Sequence, residues 1–200
     1  MGRKSLKESQ QKRIIEAFYE VAKKEGIENA SFAMIARELD MLPSLIVHYF
    51  PSKQELLHGL IDHIIEEYRR IYQADVQITD PLDKLVHVLN SIFSRDWNTY
   101  IDDSVFYNCF ALLFRNAQVK EQFRELHFLL REWLETLISE SIKSGQLAVE
   151  DAAAAADLIF VLSDGAYYFL SMIDDPAVYG MHLERYKQEA FRVLNLEHRA

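Results

Sequence analysis

Apolar residues recur at a helical period along the whole chain, and nowhere do they alternate as a half-buried strand requires. Only six glycines and four prolines interrupt 200 residues, so the breaks are few and the helices long. A first helix is expected over 9–25, with Ile14, Phe18, Val21 and Ala22 on one face and Gly26 as its stop. Ser31 suits the N-cap of a short helix carrying Phe32, Ile35, Ala36 and Leu39. Asp40, Met41 and Leu42 make a tight turn, and Pro43 fits the first turn of a third helix ending at Phe50. Ser52 can cap a long helix from Lys53 to about residue 74, and Asp80-Pro81 opens another that reaches Trp97. Further helices are expected over about 104–116, 120–143, 150–173 and 182–194, the two carboxylates and proline at 174–176 ending the one before. The chain is thus expected to be all-α, with about nine helices.

Half of the residues are apolar and 12% are aromatic, enough for a packed core and too many for a disordered chain. The single cysteine, Cys109, forbids an internal disulfide and lies in an apolar context that suits inert core. No apolar run approaches the ~18 residues of a membrane helix. The opening MGRKSLKESQQKR has no hydrophobic segment behind its charges, so no signal peptide and no membrane are expected, and the compartment is cytoplasmic. The net charge of −9 is unevenly spread: residues 1–60 sum to +1 and the remainder to −10. Arg3, Lys4, Lys7, Lys12 and Arg13 face Glu8 alone in the first 13 residues. A polyanion is repelled by the C-terminal part and tolerated by the N-terminal end, although the same charges suit an ordinary solvated tail.

The most informative stretch is SFAMIARELDMLPSLIVHYFPSKQELL, residues 31–57. A short helix, a three-residue turn and a second short helix make a helix-turn-helix. In the second helix Ile46 and Phe50 face inward, leaving Ser44, Leu45, His48 and Tyr49 partly outward. The His48-Tyr49 pair and Lys53 can donate to phosphates, and the start of the Lys53 helix adds its own amides.

In these residues the chain resembles the TetR family of repressors, through Ser31, Ile35-Ala36, His48-Tyr49-Phe50 and Ser52-Lys53-Gln54-Glu55-Leu56-Leu57. The resemblance covers about the first 60 residues. It implies an N-terminal three-helix DNA-binding domain, residues 1–52, on a larger helical ligand-binding and dimerisation domain, residues 53–200. Carried over by position, Ser31, Tyr49 and Lys53 would contact phosphate, while Pro43, Ser44, Leu45 and His48 would face the bases. Asp40 stands where a turn glycine is usual, Leu42 where a capping serine is common, and Val47 where a phosphate-binding tyrosine is common. The base-facing surface carries no Arg, Lys, Asn or Gln for bidentate base contacts.

Rings crowd the middle of the chain. Most belong to the core, but a cavity is expected to be lined by Phe93, Trp97, Phe106, Phe110, Phe114, His127, Leu130 and Tyr167 and to take a small, mainly apolar ligand. Gly165 interrupts a helix at a cost of about 1 kcal/mol relative to alanine. Its use is close approach of another helix, either within the chain or across a dimer seam as the family would imply. The expected seam residues are Ala155, Ile159, Leu162, Gly165, Ala166 and Phe169, with Tyr186 and Leu194 on the last helix. No catalytic residue, metal site or cofactor is expected: His58 and His63 are a poor pair on one helix face, and no phosphate-binding loop or nucleophile elbow is present.

Two classes of function remain open. One is a ligand-responsive regulator, a repressor released from a pseudo-palindromic double-stranded DNA operator, acting as a homodimer. The other is a helical small-molecule-binding or scaffold protein whose helix-turn-helix no longer binds DNA specifically; Leu42, Val47 and the −9 charge favour it.

Overall fold

The computed structural model describes residues 3–73, 78–95 and 102–199, with the side chains of 6–69, 78–95 and 102–199. Nine α-helices lie among the described residues: α1 Arg3–Glu25, α2 Phe32–Glu38, α3 Pro43–Tyr49, α4 Lys53–Gln73, α5 Pro81–Ile92, α6 Asp103–Ala111, α7 Ala117–Lys143, α8 Ala152–Leu170 and α9 Pro176–Val193. No strand occurs among them. They divide into two compact units, residues 1–68 with 101–124 and residues 69–100 with 125–200.

Capping chemistry sets most helix ends. Asp80, Asp102, Asp151 and Asp175 each accept a backbone N–H of the first turn they precede. Gly26 and Gly145 end α1 and α7 at φ of 82° and 75°. Several boundaries differ from the sequence expectation. Helix α1 starts six residues earlier, at Arg3 rather than residue 9, in a stretch without an apolar stripe to announce it. Asp175-Pro176 opens α9 instead of closing α8, because Asp at the cap and Pro at the first position form a start signal. Helix α5 ends at Ile92, not at residue 97.

In the first unit, Ile14 and Phe18 of α1, Ile35 of α2, Ile46 of α3 and Leu60, Ile61 and Ile64 of α4 share one core. Gly59 lets α4 come close: a Cβ there would stand 2.7 Å from Ile15 Cδ1 and 3.2 Å from Phe50 Cε1. Helix α6 packs on α1, and its N-cap residue ties the two, since the Asp102 backbone N–H donates to the Tyr19 hydroxyl at 2.7 Å. His58 and His63 go separate ways. His58 Nδ1 lies 2.8 Å from Gln122 Oε1, whereas His63 stands edge-on to Tyr19. Burial pushes the Cys109 thiol up to about 12, which leaves it unreactive.

In the second unit, α9 packs on α8 and α5. Leu85, Leu89 and Ile92, Leu134 and Ile138, Ile159 and Leu170, and Phe191 fill the core. The Tyr167 hydroxyl lies against the Ile92 carbonyl and donates to the Ser94 carbonyl at 3.1 Å, closing the end of α5. By length and composition alone α8 is long and apolar enough to cross a membrane. Asp157 and Asp164 interrupt its apolar run, and Asp157 is paired with Arg131 of α7.

Candidate nucleic-acid interface

The geometry of the helix-turn-helix is set by three local devices. Ser31 caps α2 by accepting the Met34 N–H at 3.3 Å, and its own O–H remains free to donate. The end of α2 is a Schellman turn: the Met41 N–H reaches the Ala36 carbonyl and the Asp40 N–H the Arg37 carbonyl. Asp40 takes the left-handed position at φ 51°, so the residue found in place of the usual glycine adopts the same conformation. Pro43 then starts α3 without wasting a donor.

Helix α3 is anchored by Ile46, fully buried, and Phe50 behind it. At about 100° per residue, Ser44 and His48 stand opposite Ile46 one turn apart, with Leu45 and Val47 on either flank. Those four side chains and Pro43 are exposed, and Tyr49 is half-buried with its ring edge-on to His48 at 5.3 Å. Leu42, just before the helix, is 73% exposed. Although the chain holds 31 acidic residues, none falls between Met41 and Gln54.

The Lys53 ammonium donates to the Glu28 carbonyl at 2.6 Å. One of its three N–H donors is thereby used and two remain. The tie holds Lys53 beside Ser31 and Phe32 in a cleft of about 300 Å³. Ser52 caps α4 by accepting the Glu55 N–H at 3.1 Å. The seven residues expected to meet DNA therefore all lie on the first unit; Glu28, which positions Lys53 through its backbone, gave no sequence signal.

Family models match both parts of the chain: "Bacterial regulatory proteins, tetR family" over residues 14–60 and "Tetracyclin repressor-like, C-terminal domain" over residues 80–196. The chain belongs to the TetR family. It is a transcription regulator with an N-terminal DNA-binding helix-turn-helix, and not an enzyme. The HTH-type transcriptional regulator BetI of Agrobacterium fabrum is 26% identical over 166 residues, 82% of this chain and 78% of that protein. A TetR transcription regulator from Haloarcula marismortui has the same fold at TM-score 0.83 and 21% identity, over 94% of this chain and 97% of that one. A putative transcriptional regulator from Saccharomonospora viridis, solved in complex with choline, follows at TM-score 0.76 and 18% identity, over 92% and 95% of the two chains.

Within this TetR-family chain, the residues expected to line a ligand site fall into both units. Phe106 is buried in the first, stacked on Phe110 at 6.2 Å and edge-on to Phe123 at 5.6 Å. Phe114 projects from its surface, 79% exposed. In the second, Phe93, Leu130 and Tyr167 are buried, and His127 is edge-on to Phe160 at 5.4 Å. Burial pulls the His127 imidazole below the ordinary histidine range, against the opposing pull of the Asp164 carboxylate. Trp97 lies outside the described residues.

The residues of α8 and α9 expected to meet a partner differ in exposure. Ala155, Ile159 and Ala166, with Leu194 after α9, are buried within the protomer. Tyr186 and Leu162 are half-buried, while Gly165 and Phe169 are exposed. The exposed stripe instead runs through Leu158, Val161, Tyr168 and Met172, continued by Val178 and Met181 of α9. Among the described residues, nothing beyond its own turn of the helix lies within 4 Å of the position a Gly165 Cβ would take.

Proposed function

We propose that this protein is a homodimeric, ligand-responsive repressor that leaves a pseudo-palindromic DNA operator when a small, mainly apolar molecule binds. In this reading residues 1–52 are the DNA-binding domain and 53–200 the ligand-binding and dimerisation domain, and the protein works in the cytoplasm without a membrane. The observation that carries it is the exposed side of α3, anchored from behind by Ile46, flanked by the outward Lys53 and Ser31 donors and free of acidic residues from Met41 to Gln54. Ser31, Tyr49 and Lys53 hold phosphates, fixing register. Pro43, Ser44, Leu45 and His48 enter the major groove, and two such helices in a dimer match half-sites about one helical turn or a multiple apart.

The apolar stripe of α8 and α9 supplies the dimer seam, with Leu162, Gly165 and Phe169 inside it. The ligand site draws on ring-rich residues of the second unit, with Phe93, His127, Leu130 and Tyr167 its candidate lining. Rings attract a quaternary ammonium through their quadrupoles as well as taking up neutral apolar groups. The choline held by the Saccharomonospora viridis regulator therefore puts apolar cations among the first compounds to try. A ligand that favours the released spacing of the two heads shifts the population by its differential affinity alone.

Selecting genomic fragments on the purified protein and sequencing them tests the reading. Enrichment of a pseudo-palindrome is expected. Fragments no better than random would instead favour a helical small-molecule-binding or scaffold protein that has lost specific DNA contact, to which the exposed Leu42 and Val47 also lend themselves.

A further inference from the structure

We infer that α3 reads thymine by its 5-methyl group, with Leu45 and Val47 as the two reading side chains on either side of a base pair met by Ser44 and His48. The inference rests on the DNA-binding reading above and deepens it. Between Ser44 and His48 there is no Arg, Lys, Asn or Gln, the side chains that make bidentate contacts to guanine or adenine edges. The hydrogen-bonding groups at its centre are the Ser44 hydroxyl and the His48 imidazole, neither of which can bind a base edge with the fork geometry of Arg or Asn. What the helix does present is aliphatic surface: Leu45 and Val47 are each 42% exposed, on opposite flanks of the Ser44–His48 line.

In the core of a protein such side chains would be turned inward, and in α3 the inward side is already filled by Ile46 and Phe50. The surface is also one a polyanion can approach, with no acidic residue from Met41 to Gln54 in a chain that has 31 of them. In the major groove only thymine offers an apolar group at its edge, the methyl on C5. An aliphatic side chain closing on that methyl removes both from water and tells thymine from cytosine. The operator half-site should therefore hold thymines on both sides of its centre, and its specificity should survive the loss of hydrogen-bonding partners better than the loss of methyls.

Uracil isolates the methyl, since it keeps every hydrogen-bonding group of thymine. The test uses the full-length protein and a duplex obtained by genomic selection, with the half-site thymines replaced one at a time by deoxyuridine. Affinity is read by fluorescence anisotropy at fixed salt. Each methyl read by α3 should cost about fourfold when removed, the equivalent of one buried carbon of about 0.8 kcal/mol. The penalty at one position should vanish in Leu45→Ala and at another in Val47→Ala, while His48→Ala should weaken binding and keep both penalties. Wild-type protein that binds thymine and uracil duplexes alike overturns the inference and leaves the DNA-binding reading intact. Uracil penalties that persist unchanged in both alanine variants overturn the assignment to Leu45 and Val47. Failure to select any duplex overturns the reading on which the inference rests.

Discussion

Replacing Val161 by Asp should split the dimer and leave the protomer folded. Leu158, Val161, Tyr168, Met172 and Met181 keep 59–66% of their surface exposed, and Phe169 and Val178 keep 40% and 39%. At roughly 100 Å² each for the first five and about 70 Å² for the other two, the stripe offers about 600 Å² per protomer and ~1,300 Å² per pair, above the ~1,000 Å² expected of a specific interface. Losing the burial of one valine costs at least about 1.5 kcal/mol, and a carboxylate enclosed without a partner adds several more. A total of at least about 4 kcal/mol raises the dimer dissociation constant about a thousandfold, and a two-fold seam contains the change twice. Because Val161 faces outward in the protomer, helix content by circular dichroism should not change. Sedimentation velocity at micromolar protein should show a monomer where the parent gives a dimer. Gly165→Leu is the companion: Gly165 is exposed and a Cβ there has open space outside its own helix turn, so the added side chain projects towards the proposed seam. Dimers of both variants with unchanged dissociation constants would refute this placement of the seam.

Lys53→Ala and Tyr49→Phe should weaken specific and non-specific duplexes alike, and Lys53→Ala should lower the slope of log K against log salt by about one; a loss confined to the specific duplex would assign these residues to base reading instead. Burial, with Asp102 beside it, raises the Asp103 carboxyl from 3.8 to about 6. Its folded-state proton is therefore retained while the unfolded chain has lost its own, and the stability this group contributes is full below about pH 4 and lost as pH rises through 6. Asp103→Asn should then raise urea stability by on the order of 1 kcal/mol at pH 8, after allowance for its partial exposure, with the gain shrinking towards pH 4; an equal effect at both pH values contradicts the cause given. Apolar and quaternary-ammonium compounds should raise the melting temperature and lower DNA affinity together, with Trp133 fluorescence as a further readout; a broad panel that moves none of these removes the ligand site.

How much of this was legible in the sequence depended on whether the signal was local. The helix-turn-helix was, because Ser31, Asp40, Pro43 and Ser52 act through bonds within a few residues of themselves, and Ile46 and Phe50 face the core as their spacing requires. The face of α8 was not. That helix is apolar nearly all round, so period alone could not say which stripe serves the protomer and which remains outside. Ala155, Ile159 and Ala166 look like a small-residue docking face, yet they are buried within the protomer. Gly59 gave no sign of its use either: a lone glycine in a helix reads as a local cost, and the close approach of Ile15 and Phe50 is a tertiary fact. Lys53 was found as a basic residue at a helix start, but its tie to the Glu28 carbonyl spans 25 residues and carries no side-chain signature.

In the proposed function this chain recognises DNA as a symmetric pair of helix-turn-helix heads. Hydroxyl-radical footprinting of the protein on a genome-selected fragment tests it most directly. Two protected tracts related by two-fold symmetry are expected, with centres about 10 base pairs or a multiple apart, both lost together in Val161→Asp. A single unsymmetrical tract, or no protection at protein concentrations where the dimer is intact, would contradict it.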